Sequence, residues 1–203
     1  MDDIPTVAAD ASTASSFTLP SIFDFPPFFT RQPNETTWAS QRAIWVTLIL
    51  DFFRYKRLWR LTLSPDTIDN LGIFTNTILK RKLKLDTLRE TVTYMVSQGT
   101  AAWLPATGGK NALPTVALIY WRTPDEWADS IAEWIETMGQ KNSILTSYEI
   151  SQGDLTTNEV FHGLDSVVLA KALQVLVKRG VATVFKSDDG QETGIKYFGK
   201  PAS

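Results

Sequence analysis

A chain of 203 residues, 43% of them hydrophobic and 21% charged, is long enough for one or two folded domains with ordinary cores. It has no cysteine and a single histidine, which excludes a disulfide framework and cysteine-ligated zinc and leaves too few ligands for a histidine-based metal centre. A net charge of −2 argues against a dedicated nucleic-acid binder, whose surface normally carries a basic surplus.

The first 22 residues are rich in Ala, Ser and Thr, open with Asp2 and Asp3 and lack Arg and Lys. Neither a secretory signal nor a mitochondrial presequence has that character, so residues 1–22 read as a disordered leader on a cytosolic protein. The longest apolar run, Ala43 to Phe53, is interrupted by Asp51 and closed by Arg54. It falls well short of the roughly twenty residues that cross a bilayer. Asn34-Glu35-Thr36 matches a glycosylation sequon, which a cytosolic chain leaves unmodified.

Residues 23–37 form an aromatic, proline-rich arm containing Phe23-Asp24-Phe25-Pro26-Pro27-Phe28-Phe29. Two adjacent prolines lack backbone donors and fix φ, so the arm is expected to be extended and polyproline-II-like. It either docks into a groove of another protein or folds back to complete its own domain. The helix after it is expected over Trp38–Tyr55, with Trp38, Ile44, Trp45, Leu48, Ile49 and Phe52 on one stripe and Asn34, Thr36 or Thr37 as cap. Leu58–Leu63 alternates like a strand, Ser64-Pro65-Asp66 reads as a turn, and Ile73–Arg81 as a short helix presenting Phe74 and Ile78. A longer helix is expected over Leu85–Gln98, with Thr87 and Glu90 at capping-box spacing and Gly99 as left-handed cap. Ala101–Leu104 and Thr115–Trp121 form a hairpin around a long loop, Pro105 to Pro114.

Thr123-Pro124-Asp125-Glu126 starts a second unit, with a capping box and proline at the first helical position. Its helix, Pro124–Met138, buries Trp127, Ile131, Trp134 and Ile135. A short strand (Ser143–Leu145), a short helix (Tyr148–Gly153) and an amphipathic helix (Asp165–Arg179, with Val168, Leu169, Ala172, Leu173, Leu176 and Val177 inward) follow. A last hairpin pairs Val181–Lys186 with Gly194–Phe198 through Asp188-Asp189-Gly190.

These two units are one unit repeated. Trp38-Ala39, Ala43 and Trp45 recur as Trp127-Ala128, Ala132 and Trp134, in the pattern W-A-x-x-x-A-x-W. Each unit runs helix, strand, short helix, helix, hairpin. The expected fold is therefore mainly α with small β-wings, as two tandem winged-helix domains over residues 38–122 and 123–203. The repeated tryptophans lie one heptad apart on one face and are expected in the cores. The second unit looks complete without an arm, so the arm at 23–37 is read as a plug for another protein.

No catalytic signature survives. His162 has no nucleophile elbow to serve and reads as a structural hydrogen-bonder. Gly108-Gly109-Lys110 lacks the spacing and the following helix of a phosphate loop. The sequence offers no site for a cofactor or metal. The third helix of the first unit, which in a DNA-reading winged helix carries basic and amide groups outward, here shows Asp86, Arg89, Glu90, Thr93, Tyr94 and Gln98, whose charges cancel. In the corresponding helix of the second unit the basic residues come late. Lys80-Arg81-Lys82 with Lys84 is the one basic cluster and reads as a solvated loop.

Several strings together resemble the small tandem winged-helix subunit of the ESCRT-II family: Phe25-Pro26-Pro27-Phe28-Phe29-Thr30-Arg31-Gln32-Pro33-Asn34, Lys80-Arg81-Lys82-Leu83, Tyr120-Trp121-Arg122, Pro124-Asp125-Glu126-Trp127, Asn142-Ser143, Tyr148-Glu149 and Phe161-His162-Gly163-Leu164-Asp165. The resemblance implies a non-enzymatic scaffold in the cytoplasm and peripherally on endosomal membranes, reaching the membrane only through its complex. It implies that two copies attach to larger ESCRT-II subunits, docking through Phe25, Pro26, Pro27, Phe28 and Phe29. It further implies that the second winged helix recruits and activates an ESCRT-III subunit, so that ubiquitinated cargo is sorted into multivesicular bodies. No short motif assigns residues to that second contact. A nucleic-acid-binding or transcription-associated winged-helix protein is the alternative function.

Overall fold

The computed structural model describes residues 17–106, 112–186 and 192–199. Helix α1, Glu35–Lys56, is capped by Asn34, whose side chain accepts from the Thr37 amide. It carries Arg54 and Lys56 in its last turn, where cations oppose the helix dipole. Strand β1, Arg60–Thr62, leads to a one-and-a-half-turn helix α2, Pro65–Asn70. Ser64-Pro65-Asp66 is thus the start of a helix and not a free turn: the Ser64 hydroxyl accepts from Thr67 N at 3.2 Å, and Pro65 needs no donor at the first position.

The short helix expected over Ile73–Arg81 is absent. Gly72, at φ +75°, turns the chain away, and two short antiparallel strands follow, β2 (Thr75–Asn76) and β3 (Arg81–Lys82). Phe74 is buried, whereas Ile78, four residues on, stands in solvent. Helix α3, Leu85–Ser97, buries Leu88, Val92 and Met95 and is followed by Gly99 at φ +73°. It has no side-chain cap: Thr87 is buried and Glu90 is engaged elsewhere, so the capping box expected there does not form. Strands β4 (Ala101–Trp103) and β5 (Val116–Ile119) complete a sheet ordered β1-β5-β4.

The second unit repeats this order with α4 (Pro124–Thr137), β6 (Ile144–Thr146), α5 (Ser147–Gln152), α6 (Ser166–Lys178), β7 (Ala182–Lys186) and β8 (Glu192–Tyr197). Its sheet is ordered β6-β8-β7 and is antiparallel throughout. The Thr123–Glu126 capping box forms as expected, and a second one, Thr146–Glu149, starts α5. The amphipathic stripe of α6 is buried except at its end, where Val177 is partly exposed. The turn assigned to Asp188–Gly190 lies outside the described residues, as does part of the long first wing.

All four repeated tryptophans, Trp38, Trp45, Trp127 and Trp134, are buried. The two cores share a wall. Side chains of β5 alternate, so Ala117 and Ile119 enter the first core while Leu118, with Tyr120 beyond the strand, enters the second. Trp121 packs against both cores. It meets Trp127 edge-on at 5.1 Å, lies 6.1 Å from Trp59 and donates its indole N–H to Leu58 O at 2.9 Å. Arg60 on β1 reaches across to Asp165 at 2.6 Å, and the same carboxylate caps α6 through the Val167 amide.

Candidate partner-binding surface

The arm is not a polyproline helix. Pro20 and Phe25, both extended, precede two successive 3-10 turns, Ser21–Asp24 and Pro26–Phe29. Pro26 sits at the first position of its turn, where a missing N–H costs nothing. The turns double the chain back so that Phe23, Phe28 and Phe29 join the first core. Phe28 and Phe29 are each 2% exposed. Phe28 stacks on Trp45 at 4.2 Å with the rings 7° from parallel, and Phe29 meets both edge-on at 5.8 Å. Phe17, within the stretch read as leader, packs edge-on against Phe52 at 5.2 Å and lies tilted 5.4 Å from the Tyr55 ring.

Polar groups fasten the backbone of the arm. The Gln41 amide donates to the carbonyls of Pro27, Phe28 and Thr30, and the Trp45 indole donates to Phe28 O at 3.2 Å. Asn76 Nδ2 donates to Phe23 O at 2.9 Å. Arg31 closes the end of the arm. Its guanidinium donates to Glu90 on α3 and Glu35 on α1, each at 2.9 Å, and lies 5.3 Å from the Trp38 ring centre. Glu90 also accepts from the Trp38 indole at 2.7 Å.

This network makes stability acid-sensitive. The hydrogen bond from Arg31, with a further one from Trp38, holds the Glu90 carboxyl below the ordinary glutamate value of 4.5 against the opposing effect of burial. Glu126 and Glu149 are lowered by the amides and hydroxyls they cap. A depressed folded-state pKa stabilises the fold above the unfolded value, and that contribution disappears as pH falls through the folded value. Urea midpoints are therefore expected to fall as pH drops below about 4.5, with a shallower decline in Glu90→Gln. Identical pH profiles for the two proteins would show that Glu90 carries no such linkage.

The five arm residues read from the sequence thus divide. Phe28 and Phe29 are interior in the free chain, where two apolar rings within reach of Trp45 are better satisfied than in water. Phe25, 55% exposed, and Pro26 and Pro27 remain at the surface. Phe25 and Pro27 border a shallow apolar cavity of about 400 Å³ with Ile22, Gln32, Gln41 and Ile44.

Elsewhere, three of the six groups read on the outward face of α3, Arg89, Glu90 and Tyr94, are engaged within the chain. Arg89 donates to Pro114 O at 2.7 Å, Arg42 lies 3.8 Å over the Tyr94 ring, and Glu90 holds Arg31. His162 Nδ1 is 3.0 Å from the Thr156 hydroxyl, a structural contact as expected. In the second unit the large apolar side chains Ile144, Tyr148 and Leu155 are exposed along β6, α5 and the turn after it.

The structure places the chain among proteins built from paired winged helices, with an aromatic N-terminal surface on the first. Residues 22–165 match the family described as ESCRT-II complex subunit. The chain is 36% identical to vacuolar protein-sorting-associated protein 25 of Danio rerio, over 90% of this chain and 99% of that one. The Schizosaccharomyces pombe protein of the same name is 38% identical over 89% and 98%. Among solved structures, the VPS25 subunit of the endosomal trafficking complex ESCRT-II superposes with a TM-score of 0.77 at 29% identity, covering 88% of this chain and 98% of that one. A chain of the crystal structure of the endosomal complex ESCRT-II, which contains VPS22, VPS25 and VPS36, gives 0.75 at 28%, covering 92% and 100%. The chain belongs to the ESCRT-II subunit family.

Proposed function

We propose that this chain is a non-catalytic assembly subunit that uses Phe25, Pro26 and Pro27 to dock onto larger ESCRT-II subunits, two copies to a complex. The observation that carries this reading is the exposed Phe25-Pro26-Pro27 ridge, held rigid from behind by buried Phe28 and Phe29. A ridge already ordered loses little entropy on docking. A solved relative that assembles with VPS22 and VPS36 supports the choice of partner. The second winged helix then recruits and activates an ESCRT-III subunit on endosomes, and ubiquitinated cargo enters multivesicular bodies. Its exposed Ile144, Tyr148 and Leu155 are the surface on which that contact is to be sought.

Burial of one phenylalanine contributes about 1.5–3 kcal/mol, or roughly 10- to 100-fold in affinity. Phe25→Ser is therefore expected to weaken capture by the larger subunits by that factor while circular dichroism and the urea midpoint stay unchanged. Full-strength capture by the folded variant would remove Phe25 from the docking surface.

A further inference from the structure

The β2–β3 hairpin carries a combination that the docking role leaves unused. Ile78 at its tip is 88% exposed, ahead of Leu113 at 68% among the described large apolar side chains of the first unit. From Thr77 to Lys84 the sequence has cations at Lys80, Arg81, Lys82 and Lys84 and no anion. Lys82 is matched by Asp69 at 3.2 Å, an exposed pair, and Asp86 follows in the first turn of α3. Lys80, Arg81 and Lys84 are all exposed.

The tip is also presented firmly. Asn76, buried at the base, accepts from the Leu79 amide at 2.9 Å and donates to Phe23 O, tying the turn to the arm. Leu83 N donates to Phe74 O at 2.9 Å and Leu83 is buried, which anchors the other limb. Between the two anchors Ile78 stands almost wholly in solvent.

We propose that this hairpin touches membranes directly: Ile78 enters the boundary between headgroups and acyl chains of an anionic bilayer, and Lys80, Arg81 and Lys84 hold the surrounding headgroups. An isolated aliphatic side chain gains by leaving water for that boundary, and basic residues beside it are drawn by the negative surface potential. A nucleic acid would use the cations equally, but Ile78 offers it neither a ring to stack on nor a hydrogen bond. The apolar tip is what favours lipid.

The test sediments the full chain with vesicles of phosphatidylcholine alone and of phosphatidylcholine with phosphatidylserine. Binding is expected to the mixed vesicles only, falling as salt rises. Each cation near such a surface strengthens binding about fivefold, so reversing Lys80, Arg81 and Lys84 to Glu should abolish it at accessible concentrations. Ile78→Ser changes no charge and is expected to weaken it about tenfold. Both variants alter exposed side chains and should keep the wild-type circular dichroism spectrum. Failure of the wild-type chain to bind mixed vesicles, or binding indifferent to Ile78→Ser, overturns the proposal. Retention of single-stranded RNA that is lost on charge reversal and unaffected by Ile78→Ser, without vesicle binding, would assign the patch to nucleic acid instead.

Discussion

Phe28→Ala is expected to cost the first winged helix about 3–5 kcal/mol of stability, the usual range when a fully buried phenylalanine is truncated. The ring contributes through its stack on Trp45 and its edge contact with Phe29, while its own backbone carbonyl accepts from both Gln41 and Trp45. Removing it opens a cavity against Trp45 and loosens the turn that presents Phe25. Urea unfolding followed by tryptophan fluorescence measures the loss directly. Phe29→Ala should fall in the same range, and because the two rings touch, the double substitution should cost less than the sum. A loss below about 1 kcal/mol would mean that the arm leaves its site readily. The contrast with Phe25→Ser separates support from contact: one variant lowers stability, the other affinity alone.

Trp121→Ala is expected to uncouple the two units. The side chain is half-buried, packs on both cores and donates to Leu58 O, so its removal should cost about 2–3 kcal/mol, somewhat below the range for a fully buried ring. Calorimetry is expected to show two transitions in the variant where the parent shows one, since the shared wall of β5 no longer has Trp121 to bridge Trp59 and Trp127. A single transition of unaltered midpoint would show that Leu118, Tyr120 and the Arg60–Asp165 pair suffice to join the units.

Much of this architecture was legible where chemistry is local. Thr123-Pro124-Asp125-Glu126 forms its capping box because cap, proline and glutamate act within four residues. The duplicated tryptophan pattern identified both first helices and their buried faces. Ser64-Pro65-Asp66 carries the same kind of cap-and-proline signal as Thr123-Pro124, but the helix it starts is only six residues long, too short to show a helical period. The mistaken helix over 73–81 came from the spacing of Phe74 and Ile78, which a hairpin with one buried base and one bare tip reproduces.

The arm was misread for a different reason. Proline geometry excludes the interior of a helix, yet it permits the first position of a 3-10 turn, and nothing local decides between an extended strand and a doubled-back turn. The decision is made by Trp45, Gln41 and Asn76, between 11 and 53 residues away from the groups they hold. Likewise Glu90 has capping-box spacing from Thr87, but an arginine 59 residues distant claims it.

Holding Phe28 and Phe29 inside has a consequence for quality control. The ridge at Phe25 exists as a shape only while the first winged helix is folded around the rings behind it. A partner that grips the ridge therefore reads out folding as it binds, and a damaged or half-made copy presents a slack peptide in its place. Occupancy in turn protects the folded form, by about 2.7 kcal/mol when the partner stands at a hundred times its Kd. On the proposed docking through Phe25, assembly would test folding at the same few residues.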